Sequence, residues 1–245
     1  MRREGSLVNA LLLFMTVACL ACCAAMSRGI REVRCVTGLI SPMPKMTLVE
    51  VPLDQFAGAA LMTGFRGIVA DLLWLECDEL WHRGEWHKLL PYYYFITRLQ
   101  PRFVTVWAIG AWHMAYNVSH RVSVDAEIPN AERPLESARW VDRGIAFLKE
   151  GLAYNADRFD LYFELGWTYY NKVNDSREAA IYLEKAAARP HPPVVDRLLA
   201  HAYQACGKYR EAYAIWERIE REAGGKDGPA RRFMHELKTY LSEGK

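Results

Sequence analysis

Two stretches of this chain carry the same order of large and small side chains at a spacing of 34 residues. Leu165, Gly166 and Tyr169 in the first recur as Leu199, Ala200 and Tyr203 in the second. Each trio is followed by a turn and a second apolar series: Ala179, Leu183 and Ala186 in the first, Ala212, Trp216 and Ile219 in the second. The first turn is one residue longer and passes through Asn174 and Asp175; the second passes through Gly207. Helical spacing within each series and a break between them describe two antiparallel helices. Such helices approach closely only where one offers a small side chain to a large one on the other, so Gly166 and Ala200 face the large residues of the second helix, and Ala179 and Ala212 face Tyr169 and Tyr203. Pro190 and Gly224 then end the second helix and turn the chain. One such hairpin cannot bury its apolar face alone, so stacking of hairpins is obligatory.

Earlier segments fit the scheme more loosely. Residues 70–101 give one pair, with a turn at Gly84, Cys77 and Leu89 at the small positions, and Pro101 at its close. Residues 103–156 give a second, with Ile109, Gly110 and His113 at the key places of its first helix. A loop from about Val118 to Pro134 separates them from Gly144, Leu148 and Gly151 on its second helix. Pairs three and four cover residues 159–192 and 193–226, and residues 229–242 supply a closing helix with a polar outer face. No sustained two-residue alternation marks a strand.

The pattern resembles the tetratricopeptide repeat (TPR), in which helix A carries large, small, large residues and helix B small, large, small or apolar ones. The resemblance spans roughly residues 70–242. It implies an all-α, TPR-like helical-hairpin solenoid over residues 55–242 that holds a protein or peptide on the concave face lined by the A helices. Carried onto this chain, that face comprises Asp71, Trp74 and Asp78; Val104, Trp107, Ala111 and Met114; Asp160, Phe163, Trp167, Tyr170 and Asn171; and Val194, Arg197, His201 and Gln204. It is aromatic and mixed in charge, unlike the TPRs that clamp a C-terminal carboxylate with Lys and Asn. The block GFRGIVADLLWLECDELW (Gly64 to Trp81) also resembles a group of bacterial membrane-anchored TPR proteins, which implies an envelope protein but no activity.

The N-terminus bears on location. Residues 7–26, LVNALLLFMTVACLACCAAM, hold no charge and are long enough to cross a bilayer core as one helix. An uncleaved signal anchor, a cleaved signal peptide and a lipoprotein signal on Cys22 or Cys23 all fit this stretch. Arg2 and Arg3 ahead of it favour a body outside the cytoplasm, whereas Arg28, Arg31 and Arg34 after it argue the reverse. A short basic start before an apolar run is the commoner export arrangement and decides for the outside. Residues 27–54 contain Pro42, Pro44 and Pro52 and read as a linker.

Other functions draw little support. The net charge is +2, with 31 basic residues interspersed among 29 acidic ones, so there is no clustered basic face for nucleic acid. Cys35, Cys77 and Cys206 lie far apart and read as free thiols without a C-x-x-C pair. His82, Glu85 and His87 straddle the turn at Gly84 and lack the spacing by which one helix face holds zinc. No cofactor is expected. An enzyme would have to use Asp71, Glu76, Asp78 and His82, the clustered polar groups of residues 71–82; a third reading is self-association through the aromatic surface.

Overall fold

In the computed structural model, residues 66–242 are described, and all of them are helix or connection, with no strand among them. The apolar stretch, the proline-containing linker and Cys19, Cys22, Cys23 and Cys35 lie outside the described residues. The chain divides into two compact units, Met1–Arg102 and Phe103–Lys245.

The described part of the first unit is one helical hairpin. Helix α1 (Arg66–His82) ends where Gly84 takes φ 72°, a left-handed conformation that costs glycine little. A single tight turn, Trp86–Lys88, leads into α2 (Leu89–Leu99). Ala70, Cys77 and Leu80 of α1 and Leu89, Tyr93, Ile96 and Leu99 of α2 are buried. Trp74 tilts against Tyr93 at 6.3 Å, and Trp81 stacks on Trp86 at 5.1 Å. Burial pushes the Cys77 thiol up to about 12, so it stays protonated as a core residue.

In the second unit, α3 (Val104–Trp112) does not stop near Asn117. It continues through a π-helical turn, His113–Val118, into α4 (Ser119–Val124), with helical backbone angles at both junctions. The polar run after Asn117 suggests a loop, but its side chains are satisfied along the helix. The Ser119 hydroxyl donates to the Ala115 carbonyl at 2.6 Å, and the Asn117 amide meets His113 Nδ1 at 2.7 Å. The loop is thereby confined to residues 125–132, and Pro134 opens the first turn of α5 (Arg133–Leu152), where its missing N–H costs nothing.

Close approach of α5 to α3 rests on its glycines. A Cβ on Gly144 would lie 2.8 Å from the Ala111 carbonyl oxygen, and one on Gly151 would lie 2.8 Å from the Trp107 ring. Helix α6 (Asp160–Thr168) follows and ends in a second π-helical turn, Tyr169–Val173. This turn absorbs the extra residue of the longer connection, and Asn174 leaves it at φ 59°. Asp175 then caps α7 (Ser176–Ala187), its Oδ1 accepting from the Arg177 and Glu178 amides at 3.1 and 3.0 Å. Removing this cap with Asp175→Ala should lower stability by about 1 kcal/mol in chemical denaturation, the usual loss for an N-cap carboxylate.

Helices α8 (Val194–Ala205), α9 (Tyr209–Glu222) and α10 (Gly228–Ser242) complete the series. Each helix from α6 to α10 packs on the one before it. Gly166 of α6 sits where a Cβ would come within 2.5 Å of Leu183 Cγ on α7, the small-against-large contact that the repeat requires. Ala179, Ala180, Leu183, Leu198, Leu199 and Ala202 form one core between hairpins; Ala200, Ala212, Trp216, Ile219, Ala230 and Leu237 form the next. Hairpins thus stack through apolar layers, and α10 covers the last of them.

Candidate partner-binding face

The residues that the repeat pattern assigns to a ligand-lining face fall into three groups: exposed, buried, and engaged with neighbouring helices. In the first unit, Asp71 and Asp78 are exposed on α1 and Trp74 is half-buried against Tyr93. Asp78 lies 3.6 Å from His82 Nδ1, which also meets the Asp78 carbonyl oxygen at 2.8 Å. Glu76 is exposed on the same helix. Among the described residues no three His, Cys, Asp or Glu side chains converge as metal ligands, and the His87 side chain lies outside what is described. Ile68, Leu72 and Leu75 leave an apolar stripe in solvent on α1.

In the second unit, Trp107, Ala111 and Met114 are buried to within 2% and cannot line a groove. Trp107 packs on Phe147 at 4.5 Å and on Tyr154 at 6.4 Å. The sequence assignment on α3 is therefore one residue early. Ala111, not Gly110, is the small residue beneath Gly144, and Trp107 corresponds to Tyr162 of the next hairpin rather than to Phe163. This shift carries the ledge positions to Trp112, which is 41% exposed, and to Tyr116, which is half-buried. The signal that would have found them was Trp107 itself, a large residue four positions before Ala111, as Tyr162 stands four positions before the small Gly166. His113 is also buried, and burial pushes its pKa down to about 4, which keeps the ring neutral.

Arg197 and His201 are likewise turned to structure. Arg197 forms a fork onto Asp227, which in turn caps α10 by accepting from the Ala230 amide at 2.9 Å. The Arg197 guanidinium and the Ala230 amide together hold the Asp227 carboxyl below its ordinary range. His201 is wedged edge-on between Trp216 at 5.1 Å and Phe233 at 4.7 Å. Gln204 accepts from the Trp216 indole at 3.4 Å, and Val194 stays exposed. The inner face of the fourth hairpin is thus taken up by the closing helix.

What stays open is a ledge formed by α6 and the π-turn end of α3. Trp112 and Tyr116 stack at 6.1 Å with their planes 18° apart; Phe163 and Trp167 stack at 6.5 Å and 16°. The two pairs adjoin, since the Tyr116 hydroxyl approaches the Trp167 carbonyl oxygen at 3.5 Å. That oxygen also accepts from the Asn171 amide at 3.1 Å. Lys172 lies over the Tyr116 ring at 4.8 Å. Asp160, half-buried, is held by Arg158 at 3.0 Å, and Tyr170 packs on the core between hairpins.

Glu164 lies among these groups, a residue the repeat pattern does not single out. Burial, with the Asp160 charge adding to it, pushes its carboxyl up to about 7. Burial likewise pushes the neighbouring Tyr116 phenol up to about 12, against an opposing hydrogen bond with Thr168. Among the described residues, none forms a hydrogen bond or ion pair with the Glu164 carboxyl.

No family model matches the chain, and no curated protein matches it. Among solved structures it is similar to a thermophilic TPR protein of Thermus thermophilus, at 17% identity and a TM-score of 0.49, over 76% of this chain and 95% of that one.

Proposed function

We propose that this chain is a membrane-tethered TPR scaffold that docks a protein or peptide on the aromatic ledge of Trp112, Tyr116, Phe163 and Trp167. The observation that carries the reading is the contrast in side-chain use along the A helices. Trp107 and Met114 are consumed by the core, and Arg197 and His201 by the closing helix, while Trp112 and Trp167 keep 41% and 37% of their surface in solvent on adjoining faces. Aromatic side chains of this kind supply large contact area at little entropic cost and recur as interface hot spots. The repeat pattern of residues 159–226 supports a scaffold; on α1, Asp71, Asp78 and His82 are exposed on one helix face and Glu76 is exposed on another.

In this reading, residues 7–26 are the tether, supported by a charge-free apolar run of bilayer length. The body stands outside the cytoplasm, supported by the short basic start, and serves an envelope assembly. The test is a detergent pull-down of the full-length protein from its native membranes beside a Trp112→Ala/Trp167→Ala variant. A partner recovered with the wild type should be lost from the double variant, with helix content by circular dichroism unchanged. Recovery of the same partner by both proteins would remove the ledge as the docking surface. Release of the wild type from membranes by alkaline carbonate would remove the tether.

A further inference from the structure

The ledge of the second unit is one device used twice. At the end of α3, Trp112 stacks on Tyr116, four residues later; on α6, Trp167 stacks on Phe163, four residues earlier. In each pair the tryptophan keeps the larger share of solvent, 41% for Trp112 and 37% for Trp167, and its partner is half-buried. A stacked ring on a helical backbone is fixed before anything binds, so little side-chain freedom is lost on contact. Helices α3 and α6 pack on one another, and the Tyr116 hydroxyl meets the Trp167 carbonyl oxygen at 3.5 Å. The axes of helices packed in this way are about 8–10 Å apart. Charges bordering the ledge are of both signs, Lys172 and Arg158 against Asp160 and Glu164, so a ligand is not selected by its charge. Among the described residues, no acceptor takes the indole N–H of Trp112 or of Trp167. Asn171, at the rim, donates to the Trp167 carbonyl oxygen and keeps the rest of its amide in solvent.

We propose that the ledge takes a segment of the partner in the left-handed polyproline conformation, with two prolines three residues apart set on Trp112 and Trp167. The inference rests on the docking reading above and names the class of ligand. Spacing selects the conformation. A polyproline helix brings every third residue back to the same face after about 9.3 Å, within the range of separation of the two helices. A β-strand returns every second residue after about 6.6 Å, too short a step to reach from one pair to the other. An α-helix returns its seventh residue after about 10.5 Å, but its carbonyls are bonded within the helix and offer nothing to the indole donors. The polyproline backbone makes no internal hydrogen bonds, so its carbonyls face outward as acceptors. Proline also brings no N–H that an aromatic surface would leave unanswered. Its conformation is set before binding, which suits a surface whose own rings are already fixed.

The experiment measures binding of two labelled, end-capped dodecapeptides to the full chain in detergent by fluorescence anisotropy. Both contain four prolines and eight alanines. One carries proline at every third position; the other carries it at alternate positions, so that no two prolines stand three apart. The wild type should bind the first about tenfold or more tightly, because only that peptide seats a proline on each tryptophan. Trp112→Ala/Trp167→Ala should abolish the preference. Trp112→Phe/Trp167→Phe, which keeps aromatic faces and removes both indole donors, should weaken binding of the first peptide about tenfold, the loss of two hydrogen bonds. Equal binding of the two peptides by the wild type, or a preference that survives the alanine variant, would overturn the assignment; undiminished binding by the phenylalanine variant would overturn the role given to the indole donors. If the preference is absent while the alanine variant still releases the native partner, docking on the ledge stands and only the polyproline ligand is wrong. If the preference is present but the alanine variant keeps the native partner, the polyproline site stands and the docking reading fails.

Discussion

Replacing Trp107 by alanine is expected to lower the unfolding free energy by about 3–5 kcal/mol, the range for emptying a buried aromatic site. The ring is 2% exposed, lies 4.5 Å from Phe147, and fills the space that Gly151 leaves open on α5. Neither neighbour can collapse into the gap, because α5 is already at contact distance from α3 through Gly144. Trp112→Ala, later on the same helix, should cost no more than about 1 kcal/mol, since the ring is already 41% exposed. Urea denaturation of both variants, followed by far-ultraviolet circular dichroism, separates them. The contrast tests the register of α3 directly. Equal losses would mean that Trp112 is structural too, and the ledge would lose half its surface.

Glu164→Gln should stabilise the protein at alkaline pH and leave it nearly unchanged in acid. The folded carboxyl has its pKa raised to about 7 from an ordinary 4.5. A raised carboxyl pKa means that the folded state holds its proton where the unfolded chain has released it. The wild type therefore keeps its full stability below about pH 4.5 and loses it progressively as the pH rises through 7. Above pH 8 the deficit levels off at about 3 kcal/mol, the free-energy equivalent of such a shift. Glutamine does not titrate, so the difference between variant and wild type should open across this window and then stay constant. His113, whose lowered pKa removes stability as the pH falls from 6.5 towards 4, is common to both proteins and cancels in the difference. A difference that is flat from pH 5 to pH 9 would show that Glu164 is solvated like any surface carboxylate.

Legibility in the sequence followed how local each cause was. The 34-residue recurrence located α6 to α9 because both partners of each close contact, such as Gly166 and Leu183, lie within one hairpin and in fixed register. Turns with a glycine were equally plain: Gly84, Gly207 and Gly224 all adopt positive φ. The second hairpin was harder, since its two helices are separated by an irregular stretch and nothing local fixes one against the other. Gly110 and Ala111 are both small, and only contact with Gly144 decides between them. The π-helical turns were invisible for the same reason: a single inserted residue can be absorbed in a helix or spilled into a loop, and the outcome depends on bonds such as Ser119 to Ala115. The contacts of Arg197 and His201 with the closing helix were not legible, because a repeat pattern describes an inner helix and takes no account of what closes the end. Glu164 escaped notice because a single acid on a helix is ordinarily solvated; its isolation is a property of the packed neighbours.

In the docking reading proposed above, the closing helix also sets how much ligand the array can read. Asp227, pinned by Arg197, and Phe233, set against His201, occupy the inner side of the last hairpin. Within the second unit the aromatic ledge is then limited to two adjacent helices, whose axes in such packings are about 8–10 Å apart. An extended chain advances about 3.3 Å per residue, so only some three or four residues of a partner fit across the ledge. A footprint of that size falls below the area of stable complexes and belongs to short-lived encounters. In the membrane-tethered reading proposed above, lasting attachment comes from many copies acting together on one membrane, where confinement raises the effective concentration and makes brief individual contacts add up.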